Sequence, residues 1–449
     1  MKQIILSMFT TLVAATAMAQ GNASRSLANY EAANWKTWLL DNPQQVETSA
    51  PPNGAQSKAE LQTIKQRISK VDGKKLTEIK YWDAGAPAYR WNQILPQLVD
   101  QKPAVMLRLP GSWVNIAIYD ATVLAWKEKI KYKRNRPVDS DHSLKTAVNT
   151  PSTYSYPCEH AVTAAAAATM MAYFFPEKAD SILQMARTAS QSRIDAGVSF
   201  PSDVDAGWKL GEAVAKQIIE RAKNDGSTIK WNGEMNKDPK KWTGKFPMGI
   251  TMAQFPTMVL RSANQFRPGP PPDFESDMKE LKNFKQTFKS KTTALYWASQ
   301  ADVWTDLAGK KMFEYHVCED APAAARIYAV LSAASHDMAV AIFDAKYTYW
   351  GIRPVQYDST YQPLINTPPF PGYPSGHAAG AATASAVLEY FFPDDAKEFH
   401  ALAQDCADSR FYAGIHFRTD NETALVMGRT LGKYIVETWM NESKAVAGK

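Results

Sequence analysis

One fixed spacing organises this chain. Residues 217 positions apart agree, without a gap, across two long stretches. Asp120 repeats as Asp337, Lys129 as Lys346 and Tyr132 as Tyr349. Arg136-Pro137-Val138 repeats as Arg353-Pro354-Val355, and Tyr156-Pro157 with His160 repeats as Tyr373-Pro374 with His377. Tyr173-Phe174-Phe175-Pro176 returns as Tyr390-Phe391-Phe392-Pro393, and Ser192-Arg193 as Ser409-Arg410. Gly197, Phe200, Asp203 and Gly211 return as Gly414, Phe417, Asp420 and Gly428. Agreement at a single offset over this length means two related halves, each a version of one folding unit.

The halves read as helical. Ala-rich stretches 161–175 and 378–392 have high helix propensity and each stops at a proline. Stretches 177–196 and 394–413, and then 205–223 and 422–440, place apolar residues at helical spacing. Strand-like alternation is scarce. The expected fold is therefore all-α, with two related helical bundles. Between them, 225–275 is rich in proline, aromatic residues and lysine. It includes Phe266-Arg267-Pro268-Gly269-Pro270-Pro271-Pro272, which cannot be a regular helix. Residues 20–75 are polar and suggest a helix or two with loop.

The chain begins with Lys2, an apolar run from Ile4 to Ala15, and Ala17-Met18-Ala19. This is the order of a secretory signal peptide cleaved after Ala19. The expected organisation is a signal peptide at 1–19, an N-terminal half at 20–224, a connector at 225–275 and a catalytic half at 276–449. The expected product is exported, to the periplasm or the medium. The longest uncharged apolar stretch in the remainder, Ala161 to Phe175, is shorter than the ~20 residues that cross a bilayer, so no membrane span is expected. A hydrophobic content of 45% excludes a disordered chain. The net charge of +6 lies in no basic run, which argues against nucleic-acid binding. Three cysteines, Cys158, Cys318 and Cys406, are too few for a disulfide scaffold. No zinc spacing is present.

Three patches of the second half carry chemistry: Lys346-x6-Arg353-Pro354, Tyr373-Pro374-Ser375-Gly376-His377, and Ser409-Arg410-x5-His416-x3-Asp420. Together they supply three cations, two imidazoles, a hydroxyl, a glycine amide and a carboxylate. Guanidinium groups fork around tetrahedral oxyanions, and Lys adds a point charge. Ser375 and Gly376 fall where the helix 378–392 begins, and free amides at a helix start favour an anion. His416 and Asp420, four apart, share a helical face. Asp420 can then hold one ring nitrogen and leave the other free to attack or ligate. His377 remains as a separate acid or base. The histidines at 142, 316, 336 and 400 lack such company.

These patches resemble the three-part signature of one superfamily, which includes type 2 phosphatidic acid phosphatases (PAP2), bacterial acid phosphatases and vanadium-dependent haloperoxidases. Thr367 to His377, Gly414-Ile415-His416-Phe417-Arg418 and the run Gln265 to Pro272 are most similar to the haloperoxidase branch. The resemblance implies that Lys346, Arg353, Ser375, Gly376 and Arg410 hold the oxygens of vanadate or phosphate. His416 would be the axial vanadate ligand, or the phosphorylated nucleophile in a phosphatase. Asp420 would orient it, and His377 would be the acid/base. Phe370 and Phe343 occupy halide-pocket positions, with Phe343 where chloride-oxidising members tend to carry Trp. The implied substrates are hydrogen peroxide and halide with vanadate as cofactor, or a phosphate ester without it. In the first half, Ser375 is replaced by Cys158, Gly376 by Glu159 and His416 by Ser199. Glu159 is expected to pair with Lys129 and Arg136 in place of an oxyanion, leaving that half structural.

Overall fold

A computed structural model describes residues 29–46, 48–99, 108–299 and 303–444. The segment 1–19, expected to be a signal peptide, lies outside them. The described residues contain helices and no strand. Before the first repeat come α1 (Gly54–Ile68), α2 (Gly73–Asp83) and α3 (Tyr89–Leu98). The first repeat contains α4 (Arg108–Tyr132), α5 (Pro137–Ser140), α6 (Glu159–Phe174), α7 (Ala179–Asp195) and α8 (Pro201–Ala222). After the connector come α9 (Glu275–Asn283), α10 (Phe288–Ser299) and α11 (Val303–Glu314). The second repeat contains α12 (Ala321–Tyr349), α13 (Pro354–Tyr357), α14 (Gly376–Phe391), α15 (Ala396–Tyr412) and α16 (Arg418–Glu442).

The alanine runs explain the centre of each bundle. Ala164 to Ala168 are fully buried, and Ala378, Ala379, Ala381 and Ala382 are nearly so. A helix apolar all round belongs in a core. Accordingly α6 packs against α4, α7 and α8, while α14 packs against α12, α15 and α16. Glycine sets the closest approach in both. A methyl group at Gly211 would collide with the Val162 carbonyl oxygen, and one at Gly428 with that of Ala379. The two bundles meet along α4 and α12.

One helix bears on the expected absence of a membrane span. The helical stretch Ala321–Tyr357 is long and apolar enough to cross a bilayer, although 83% of its most apolar window is buried inside the protein. A search for uncharged runs passes over it because Arg326, Asp337, Asp344 and Lys346 interrupt it.

Asp120 and Asp337 each fasten a bent, non-helical strap to their half. Asp120 accepts hydrogen bonds from the Trp38, Leu39 and Leu40 amides at 2.6–2.8 Å. Asp337 accepts them from Met258, Val259 and Leu260 at 2.6–2.8 Å. The connector segment therefore contains the second copy of a repeated feature, spaced by 220 residues rather than 217. Further along, Arg267 forms a bidentate pair with Asp344 at 2.6 and 2.8 Å. The Tyr373 hydroxyl donates to Gly269 O at 2.8 Å. These contacts press the proline-rich run against the loop that precedes α14.

Candidate active site

Three connections of the second half converge, α12 to α13, α13 to α14 and α15 to α16. Lys346 lies in the last turn of α12 and Arg353 at the start of α13. Ser375 occupies the N-cap position of α14 without a side-chain bond to its amides, followed by Gly376 and His377. Arg410 closes α15, after which Gly414 takes φ +73° and turns the chain toward His416. Such a left-handed residue after a helix is a glycine preference. Asp420 sits in the first turn of α16, and its backbone carbonyl accepts from the Ser375 amide at 3.0 Å. The three patches are thus tied to one another as well as close.

His416 Nδ1 lies 2.9 Å from Asp420 Oδ2, which also accepts from the Phe417 amide at 3.1 Å. This fixes the tautomer with the proton on Nδ1 and the lone pair on Nε2. Arg353 Nη1 donates to that lone pair at 2.9 Å and to Ile415 O at 2.7 Å. Lys346 Nζ donates to Pro371 O and Gly372 O at 2.7 and 2.8 Å, leaving one further proton. Arg410 is held by Ser409 Oγ at 2.8 Å and Ala294 O at 3.1 Å. The Phe370 ring lies over Lys346 and Arg353 at 5.2 and 5.1 Å and meets Phe343 edge-on at 5.4 Å. All ten residues singled out in the sequence are therefore gathered in one region. By contrast, His336 bonds to Pro256 O and His400 to Glu389.

The electrostatics are those of a site short of negative charge. Lys346, Arg353 and Arg410 are 0%, 0% and 1% exposed, and Asp420 is the carboxylate in their midst. Burial lowers Lys346 well below its ordinary value, with Arg353 adding to the effect. Burial also brings Arg353 down to about 10. Burial and the nearby cations keep His416 neutral. Burial pushes Asp420 up to about 7 against the pull of Lys346 and Arg353. His377 opens onto an internal cavity. Its side chain is exposed to that space, and desolvation, then Arg410 and Arg108, lower its pKa below the ordinary imidazole value.

The residues fit an oxyanion, and the repeat provides the test. Arg353 Nη2 and Ser375 Oγ are buried without hydrogen-bond partners. In the first half the matching atom, Arg136 Nη2, is bound to Glu159 Oε1 at 2.8 Å, and Lys129 Nζ to Glu159 Oε2 at 2.8 Å. The rest of the skeleton is shared. Arg136 Nε donates to Thr153 O, as Arg353 Nε does to Phe370 O. Arg136 Nη1 reaches Val198 O and Ser199 Oγ, as Arg353 Nη1 reaches Ile415 O and His416. A carboxylate fills in one half the place where the other half leaves donors unmatched. Cys158, buried beside Glu159, has its thiol pushed up by burial and by that carboxylate, which disfavours the thiolate.

The cavity beside His377 holds about 600 Å³ and is lined by both halves. Arg108, at the start of α4, lies on its wall and was not foreseen. It belongs to no motif, and its counterpart at 217 residues' distance is Ala325. Met248 of the connector also lines it.

The family model of the PAP2 superfamily matches residues 112–224 and 325–444. The chain belongs to the PAP2 superfamily, which it enters twice. Among solved structures, a bacterial vanadium-dependent iodoperoxidase is similar with a TM-score of 0.58 and 19% identity, over 87% of this chain and 98% of that one. A bacterial vanadium-dependent chloroperoxidase in its holo form has a TM-score of 0.58 and 15% identity, over 78% of this chain and 95% of that one. These likenesses are likenesses of fold. No curated protein matches the sequence.

Proposed function

We propose that the protein is a vanadate-dependent haloperoxidase that oxidises halide with hydrogen peroxide. The observation that carries this is the combination of surplus buried cations with a neutral His416, whose Nε2 lone pair points among them. The fold shared with bacterial iodo- and chloroperoxidases supports it. Bound vanadate would supply a Lewis-acidic centre that activates peroxide toward halide.

The chain's own part can be stated residue by residue. Lys346, Arg353 and Arg410 offset the anion's charge, and Ser375 Oγ and the Gly376 amide donate to its oxygens. His416 Nε2 would be the ligating atom. It now accepts from Arg353 Nη1, and an incoming oxyanion is the better acceptor for that donor, which frees the lone pair. Asp420 keeps the proton on Nδ1. His377, at the cavity edge, is placed to take a proton there and return it.

The same lone pair is also a nucleophile. That gives a second reading, phosphate monoester hydrolysis through a phosphohistidine, with His377 protonating the leaving alcohol. Two assays on one preparation separate them. One follows bromination of a phenolic dye with peroxide, bromide and vanadate. The other follows hydrolysis of an aryl phosphate without vanadate. The expected result is bromide-dependent halogenation, lost in His416→Ala and reduced about 10–100-fold in Asp420→Asn. Robust hydrolysis without halogenation would overturn the first reading. Activity unchanged in His416→Ala would overturn both.

A further inference from the structure

We infer that Asp277, on α9, is a positioning residue for the His416–Asp420 pair: it caps α16 from outside that helix and so fixes the turn from which both side chains reach the cradle. The inference rests on the reading above, in which His416 is the reacting imidazole, and it adds a residue that belongs to none of the three patches.

The start of α16 needs such a partner. The first amides of a helix have no acceptor within it. The N-cap residue here is Phe417, whose side chain offers no acceptor. Asp420 Oδ2 meets the Phe417 amide. The Thr419 amide is met by Asp277 Oδ1 at 2.9 Å, and the Thr419 hydroxyl donates to Asp277 Oδ2 at 3.0 Å. Asp277 is 8% exposed, so these bonds are shielded from water. Its neighbours grip the same turn. Phe274 stacks on Phe417 with centroids 4.4 Å apart, and Arg418 pairs with Glu280 at 2.6 Å.

The repeat separates what is architectural from what is particular to the second half. Glu60 and Ser202 lie 217 positions before Asp277 and Thr419. Glu60 Oε1 accepts from the Ser202 amide at 2.8 Å, and Oε2 from the Ser202 hydroxyl at 2.9 Å. The cap is therefore part of the folding unit. In the first half Arg134 reinforces it, donating to Glu60 Oε2 at 2.9 Å, Ser202 Oγ at 2.7 Å and Asp203 Oδ1 at 2.7 Å. Asp203 is the counterpart of Asp420, and the arginine fixes it directly. The counterpart of Arg134 is Gly351. A methyl group there would stand 2.6 Å from Tyr373 Cβ, so no side chain fits without a shift.

The exchange of arginine for glycine changes the duty of each carboxylate. Asp420 Oδ1 is buried without a hydrogen-bond partner, and Oδ2 faces His416 Nδ1 at 2.9 Å. An aspartate with no guanidinium beside it can orient an imidazole, but it also lacks the clamp that holds Asp203. Asp277 is left to hold the turn through Thr419, which lies between His416 and Asp420 in the chain. A rotation of this first turn of α16 would carry Asp420 away from Nδ1, and the tautomer that keeps Nε2 free would be lost. Outer partners of ligating imidazoles act in this way, by fixing the group that fixes the ring.

The test reads two quantities that need no turnover. One is the affinity for inorganic phosphate by titration calorimetry. The other is the proton resonance of His416 Nδ1–H, assigned by its absence in His416→Ala. Asp277→Ala is expected to weaken phosphate binding about tenfold and to shift or broaden that resonance. Asp277→Asn should restore both, because its amide oxygen still accepts from the Thr419 amide and its NH2 can donate to the Thr419 hydroxyl. Thr419→Val removes only the hydroxyl bond and should give a smaller loss, which decides the matter should Asp277→Ala not fold. Glu60→Ala should lower the melting temperature and leave both readouts unchanged. An unmoved affinity and resonance in Asp277→Ala and Thr419→Val would overturn the inference. So would a failure of Asp277→Asn to restore them, or an equal loss in Glu60→Ala. If the wild type bound no phosphate, the reading above would fail, while the resonance would still decide this inference.

Discussion

At the scale of single residues, the comparison of Glu159 with Gly376 is the most informative contrast in the molecule. Both follow a capping residue at the start of an Ala-rich helix, and both face a Lys and an Arg fixed by equivalent backbone carbonyls. Where the chain has Glu, the cations are paired internally. Where it has Gly, Arg353 Nη2 and Ser375 Oγ have no partner. Burial opposes ionisation of Glu159, but Arg136 and Lys129 hold its carboxyl well below the usual range. Glu159→Gln would leave two buried cations uncompensated, with an expected loss of about 3–5 kcal/mol of unfolding free energy. The sign of its pH dependence follows. A carboxyl with a depressed folded pKa contributes fully above its unfolded value, about 4.3, and loses the contribution as pH falls toward the folded one. The gap between wild type and Glu159→Gln in urea unfolding should be full at pH 7 and narrow steadily below pH 4. A gap independent of pH would mean that Glu159 is not ionised in the folded chain.

At the scale of elements, each bundle depends on a helix that approaches its central partner through glycine. Gly428 brings α16 onto α14, and Gly211 brings α8 onto α6. Because α16 carries Asp420 and α14 carries Ser375 and His377, a methyl group at Gly428 must move one side of the cradle relative to the other. Gly428→Ala should cost about 1–3 kcal/mol of stability, as overpacking does, and should also weaken oxyanion binding. Gly211→Ala should cost a comparable amount without weakening that binding. Equal effects of the two on phosphate affinity would show that strain passes between the halves. Much of this organisation is legible in the sequence. The Ala runs ending at Pro176 and Pro393 announce the central helices, and the spacing of Lys346, Arg353, His377, Arg410, His416 and Asp420 announces a cradle. The strap at Met258–Leu260 is not legible. It is held by its backbone amides, which leave no side-chain pattern, and a three-residue shift takes it out of the 217-residue register. Arg108 is hidden for another reason. Its bonds to Ser335 cross from α4 to α12, and neither a motif nor a repeat marks its place.

At the scale of the whole molecule, the two halves interlock rather than sit side by side. Besides α4 against α12, the first strap reaches the second. Trp38 Nε1 donates to Met258 O at 2.9 Å, and its ring stacks on Trp439 of α16 with centroids 4.0 Å apart. The Lys36 amide donates to Ser443 O at 3.0 Å, tying the start of the first half to the end of the second. A half that cannot lose its strap without exposing Trp439 cannot unfold alone at low cost. One cooperative transition is therefore expected, even though the proposed oxyanion cradle lies in the second half only. Phosphate or vanadate at about 100 times its dissociation constant should add about 2.7 kcal/mol to the stability of the entire chain. The melting temperature should then rise by roughly 3 °C. Hydrogen exchange should slow in α6 as well as in α14. Arg353→Ala, which removes the principal donor of the cradle, should abolish the rise. Two separate transitions, with only one responding to the anion, would show that the halves are independent and that the contacts of Trp38 and Lys36 couple nothing.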